Sequence, residues 1–364
     1  MNEELIKIPK IQLHLHLDGS LRPETVYKRL KKNPIDKITL NDWHRKGFIS
    51  DQEKVFLIKL FAKKLTLELI EKNLKVNRCR NLNEYLEKFI LPICVLQTNK
   101  DIEESVYQLY EDLHKQGVIY AEVRFAPSKF IYNGLSYDEV IQSAIKGLNK
   151  AKKDFDIDGN LILCMMRGYD KSTTINNYKT LFYAKKYLNK GICAIDLAGA
   201  EALFKTEEFK GLFSYAKRLK VPFTIHAGEA DGPKSIWDAI RFGTKRLGHG
   251  VRCVEDKYLV NYIKENEITL EVCIVSNLQT KATKYKHPLE RLYNLGIHTT
   301  INTDNDTVSN TNILNDYQYI LMYTNLTIDD LIQMNKYAIE SSFSENKDKL
   351  LEKLESEKTK WKNY

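Results

Sequence analysis

The chain has 364 residues, 43% hydrophobic and 29% charged, an ordinary globular composition that excludes collagen, coiled coil and intrinsic disorder. It is long enough to bury a sizeable core without disulfide or metal staples. The 56 basic and 48 acidic side chains leave a net charge of +8, and Lys outnumbers Arg 44 to 12 along the whole chain, which reads as a solvated surface and not a nucleic-acid patch.

Taken in chain order, eight short apolar runs each end in polar or small residues. They cover 10–17, 118–125, 160–166 and 192–197, then 222–226, 245–249, 268–275 and 298–303. Amphipathic stretches such as 138–155 and 206–218 lie between most of them. Strand alternating with helix implies a parallel sheet. Eight such units imply the α/β class and a (β/α)8 TIM barrel. About 100 residues separate the first two runs, far more than a crossover needs. Their pattern over 52–75 and 81–97 is helical, so we expect a helical insertion at about 24–115 within one domain spanning 1–364. The tail, 344–364, alternates charge with Leu and reads as a solvated final helix.

Six cysteines occur with no C-x-x-C spacing, and the first residues show no apolar stretch of signal-peptide length. No run approaches the roughly 18 apolar residues of a membrane span. The expectation is a cytoplasmic protein with reduced thiols and no membrane partner.

The chemistry gathers at the expected strand ends, where a barrel of this kind carries its active site. His14 and His16 close the first run, and on a strand i and i+2 share a face. An H-x-H alone is weak. His226 ends the fifth run, His249 the sixth and Asp304 the eighth, so four of the eight histidines terminate strands. Three His and one Asp suit Zn²⁺ with an open position for water, and the ligand types leave Fe²⁺ and Mn²⁺ open. Glu229, three residues after His226, is placed to move protons beside such a site. His44, His114, His287 and His298 lack comparable settings and are assigned to structure or surface.

Seven segments resemble the adenosine deaminase family of zinc-dependent aminohydrolases. They are HLHLDGSLRP (14–23), EVRFAP (122–127), DLAG (196–199), HAGEADGPKSIWDAI (226–240), RLGHG (246–250), EVCIVSN (271–277) and INTDN (301–305), in family order along nearly the whole chain. The resemblance implies hydrolysis of adenosine or 2′-deoxyadenosine to the inosine product and ammonia. It implies one Zn²⁺ per subunit, held by His14, His16, His226 and Asp304. Glu229 matches the acid that protonates purine N1, and His249 the group that orients the attacking hydroxide. Among substrate contacts, Gly199 matches the amide to N3 and Asp18 the carboxylate to the ribose. His16 also lies against the substrate, and Asn305 stands where the family contacts N7. Leu82, Tyr85, Leu86 and Phe89 are similar to its apolar lid helix. The implied partner is a small purine nucleoside, with no nucleic acid; the oligomeric state stays open.

Departures from the family pattern are Asn305 for a second Asp, Asp306 for Pro, Ala200 for Asp and Ile274 for Pro. None removes a ligand or the acid. An Asn amide donates to N7 without needing a proton of its own. Alternative substrates on the same fold are adenine, aminodeoxyfutalosine and adenosine monophosphate, and a degenerate binding protein is a further alternative. The cysteine-based zinc deaminases need H-x-E and P-C-x-x-C, and the chain has neither.

Overall fold

A computed structural model describes residues 2–77, 79–283 and 286–356. Among the described residues there are eight parallel strands: β1 (Lys10–His16), β2 (Val118–Phe125), β3 (Asp158–Met166) and β4 (Ile192–Ala198), then β5 (Ile225–Ala227), β6 (Arg246–His249), β7 (Thr269–Val272) and β8 (Thr299–Ile301). β1 to β4 and β5 to β8 form two runs of adjacent parallel pairs. Ile195 on β4 bridges to Phe223 before β5, and Leu15 on β1 bridges to Asp304 after β8. These two seams close the sheet into a (β/α)8 barrel. The strands are buried along nearly their whole length, as expected when helices cover the outside.

The seam at Asp304 builds the site. Its carbonyl accepts from the His16 amide at 2.8 Å, and its amide donates to the His14 carbonyl at 3.1 Å. One residue of the last strand end is thus laid between two histidines of the first.

The strand boundaries move in places. β7 stops at Val272, and the expected strand residues Ile274 and Val275 begin a helix, Ile274–Gln279. Their β-branched side chains carry a strand signal, but the chain turns over the barrel mouth there and brings Ser276 and Asn277 to the site. β5 starts three residues later than expected, because Pro222 and Phe223 serve the seam with β4. Between β1 and β2 lie helices from Pro23–Lys32 to Asn99–Lys115. The last of these packs on β2 and on the helix Tyr137–Asp154, so it takes the position of a normal crossover helix. The final helix runs Lys347–Ser356 and buries Leu350 and Leu354, so it is amphipathic and docked; residues 357–364 of the expected tail lie outside the described residues. No helix among the described residues is long and apolar enough to cross a membrane.

Candidate active site

The strand ends converge on one pocket. Its wall includes His16, Asp18, His226, Glu229, His249 and Asp304 on the polar side. Leu82, Tyr85, Leu86 and Phe89 from the inserted helices line the other side, with Gly199 and Asn305. Every residue expected at the site from sequence is on this wall except His14, which is fully buried directly beneath it.

Four donors face one another. His14 Nε2 lies 3.3 Å from Asp304 Oδ1, and His16 Nε2 lies 3.4 Å from the same oxygen. His16 Nε2 and His226 Nε2 are 3.3 Å apart. Tetrahedral ligands at 2.0–2.1 Å from an ion stand about 3.3–3.4 Å from one another, so these separations fit a bound divalent cation. Buried lone pairs at that spacing repel without a positive charge between them. At His14 burial opposes the charged ring, yet hydrogen bonds to Asp304 and Glu271 outweigh it and raise its pKa. A cation or a proton therefore belongs between His14 and Asp304. His249 is also near: one donor atom from each of His14, His226, His249 and Asp304 lies within 4.8 Å of the others. The nearest carboxylate to His249 Nε2, however, is Glu229 Oε2 at 3.4 Å. Asp304 (φ 63°) and His249 (φ 62°) both adopt left-handed backbone, which non-glycine residues hold only where surroundings enforce it.

Beneath the donors lies a buried ionic layer. Asp196 Oδ2 is 2.8 Å from His226 Nδ1, and Glu271 Oε2 is 2.8 Å from His14 Nδ1. Glu271 hydrogen-bonds the outer nitrogen of His14, Asp196 lies at ion-pair distance from that of His226, and both leave Nε2 for the cluster. Arg124 spans both, with Nη1 2.9 Å from Asp196 and Nη2 2.9 Å from Glu271. Arg246 adds a contact to Glu271 at 2.7 Å and another to Glu122 at 2.6 Å. Ser276 donates to the second oxygen of Asp304 at 2.7 Å.

Glu229 is 4% exposed, and its Oε1 has no partner. Burial, with Asp304 and Glu201 nearby, pushes its carboxyl well above the ordinary range. Glu229 thus faces the pocket with its protonated form favoured. Its loop is clamped from behind. Glu201 accepts backbone N–H groups from Gly228 (2.7 Å), Glu229 (3.0 Å), Ala230 (2.7 Å) and Asp231 (3.0 Å). Asp18 has an unpartnered Oδ1, and burial raises its pKa to about 6. Asn305 donates from Nδ2 to the Tyr85 hydroxyl at 3.0 Å, and that hydroxyl shares a 2.6 Å hydrogen bond with Ser309. Tyr85 is therefore pinned to the loop after β8 and is more than an apolar lid residue. The residue against Asn305 must be glycine: a Cβ on Gly19 would stand 1.7 Å from Asn305 Oδ1. Gly199 closes β4 with φ 111°, a conformation L side chains rarely adopt.

Sequence reasoning missed several supporting groups. Asp196 and Glu271 lie inside quoted motifs, and alternation along β4 and β7 could have placed them facing the barrel interior. Glu201, Ser276 and Asn277 gave no periodic signal. His287, assigned to structure or surface, is buried with Nε2 3.2 Å from Asn277. His44 pairs with Asp51, His114 stacks on Phe155 and His298 stacks on Tyr337, as that assignment holds.

Comparison with known proteins agrees with this architecture. Residues 56–357 match the adenosine deaminase family. The chain is 38% identical to adenosine deaminase of Clostridium kluyveri over 351 residues, covering 96% of this chain and 93% of that protein. It is 35% identical to adenosine deaminase of Clostridium acetobutylicum, covering 98% and 99%. Among solved structures, adenine deaminase from Arthrobacter aurescens superposes with a TM-score of 0.81 at 21% identity, over 98% of this chain and all of that one. N6-methyl-AMP deaminase from Arabidopsis thaliana gives 0.76 at 24% identity, over 98% of each chain. The two structural neighbours share the fold; the sequence match, over nearly the full length, places this chain in the adenosine deaminase family.

Proposed function

We propose that the protein deaminates adenosine and 2′-deoxyadenosine hydrolytically, giving the inosine product and ammonia, as a purine-salvage enzyme of the cytoplasm. The observation that carries the reading is four cation donors at the floor of one pocket, three of their separations being 3.3–3.4 Å, beside a buried Glu229 whose environment favours its protonated form. In this reading His14, His16, His226 and Asp304 hold one Zn²⁺. When bound, the ion supplies water that loses its proton near neutral pH. Glu229 protonates purine N1, which draws electrons from C6 and opens that carbon to attack. A water oxygen bonds to C6, one of its protons passes to the departing NH₂, and the C6–N bond breaks to release ammonia; the other water proton restores Glu229. His249 stabilises the attacking oxygen by hydrogen bonding.

The remaining pocket residues orient the nucleoside. The Gly199 amide donates to N3, Asn305 donates to N7, and Asp18 accepts from the ribose. Leu82, Tyr85, Leu86 and Phe89 exclude water above the base. Six unpaired cysteines, all buried, suit a reducing compartment. The test is ultraviolet absorbance of the zinc-loaded protein with adenosine, 2′-deoxyadenosine, adenine and adenosine monophosphate in parallel. The two nucleosides should be converted; conversion of adenine or the nucleotide in their place would overturn the substrate assignment.

A further inference from the structure

A buried chain of hydrogen bonds runs from His287 to His249, and its donors and acceptors can be assigned one after another. The Leu289 backbone N–H can only donate, and it meets His287 Nδ1 at 3.2 Å. Nδ1 therefore accepts. Burial pushes the His287 ring down to about 3, so it is neutral and carries its single proton on Nε2. That N–H lies 3.2 Å from Asn277 Oδ1. The amide is thereby oriented, since a flip would set NH₂ against N–H. The Asn277 NH₂ then faces His249 Nδ1 at 2.9 Å. Nδ1 of His249 must accept, and a neutral ring holds its proton on Nε2. That nitrogen points into the pocket, 3.4 Å from Glu229 Oε2.

We propose that His287 and Asn277 are positioning residues that lock His249 in its Nε2–H tautomer, making it a hydrogen-bond donor to the reacting centre and barring it from the metal. The chain explains how His249 stands among the cation donors without joining them. In the opposite tautomer Nε2 would present a bare lone pair, able to compete for the ion and unable to donate. The proposal rests on the deamination reading for its catalytic consequence, but the tautomer can be read with no turnover at all.

The test uses the full chain, zinc-loaded and labelled with ¹⁵N-histidine. Long-range ¹H–¹⁵N correlation spectra should show His249 protonated on Nε2 and unprotonated on Nδ1, with the signal assigned by its loss in His249→Gln. Protonation on Nδ1 in the wild-type protein would overturn the proposal, whatever substrate the enzyme takes. Asn277→Asp places an acceptor against His249 Nδ1 and should move the proton there. Loss of one preorganised donor at the reacting centre costs about 10²–10³-fold in kcat, with KM nearly unchanged. His287→Phe frees the amide to flip and should give a mixed spectrum with kcat reduced about tenfold; His287→Gln, which keeps a donor, should recover most of it. Zinc content should stay at one per chain throughout. Wild-type kcat and an unmoved His249 signal in both Asn277→Asp and His287→Phe would refute the proposal. If Asn277→Asp does not fold, the wild-type spectrum and the His287 pair still decide.

Discussion

Replacing Arg124 with Met removes the guanidinium that bridges Asp196 and Glu271 beneath the candidate metal site. Arg124 is fully buried and touches Asp196, Glu271 and the Leu13 carbonyl. Glu271 would keep Arg246, Thr224 and His14. Among the described residues, Asp196 would keep His226 as its sole imidazole or cationic contact. Burial by itself would raise the Asp196 carboxyl; the His226 and Arg124 charges outweigh it and hold it well below the usual range. Breaking a buried pair on one side costs about 3–5 kcal/mol, because the other charge is left uncompensated. Asp196 should then take up a proton and lose its grip on His226 Nδ1. Loss of such an outer partner weakens metal affinity about 10–100-fold. Denaturant unfolding of the metal-free protein and chelator competition on the loaded one measure the two effects. Adding Asp196→Asn to Arg124→Met should cost less than the sum of the single changes, since the stranded carboxylate is gone. An unfolding free energy within about 1 kcal/mol of wild type, with unchanged zinc affinity, would refute the reasoning.

Glu201→Gln offers one acceptor where the carboxylate serves four backbone N–H groups, so the Glu229 loop should loosen. We expect kcat at least about tenfold lower at unchanged zinc content, measured by steady-state kinetics with metal analysis. Tyr85→Phe removes the hydroxyl that joins Asn305 and Ser309, and KM for adenosine should rise several-fold with kcat little changed. Asp316 is buried, its Oδ2 has no partner, and burial raises its pKa to about 8. The native state keeps a proton that the unfolded chain releases near pH 4, so the contribution of Asp316 to stability is full below that pH and is lost as pH rises through about 8. Asp316→Asn should flatten that fall between pH 5 and 8 in denaturant melts; an identical slope would remove Asp316 from the account.

The barrel was legible because its strands are buried runs with a clear period. β2 falls on the expected residues 118–125, and the histidines at 14, 16, 226 and 249 all stand at strand ends. The eighth strand was harder: β8 spans Thr299–Ile301, and Asp304 reaches the site through its pairing with β1. That pairing is a matter of closure, which no local pattern encodes. The ionic layer was hidden for a similar reason. Arg124 meets Asp196 and Glu271 across the barrel interior, and such partners depend on register, not on spacing along the chain. His287 is the plainest case. Its assignment to structure or surface holds, but nothing in the sequence marks its partners: the chain before Leu289 folds it inward onto Asn277.

The most direct test of the account is Glu229→Gln, assayed for bound zinc and adenosine turnover in the same sample. Glu229 makes no hydrogen bond or ion pair with His14, His16, His226 or Asp304, and the proposed role of Glu229 is to deliver a proton, so the variant should keep one zinc per chain and lose nearly all turnover. Full activity with zinc in place would contradict the account at its centre.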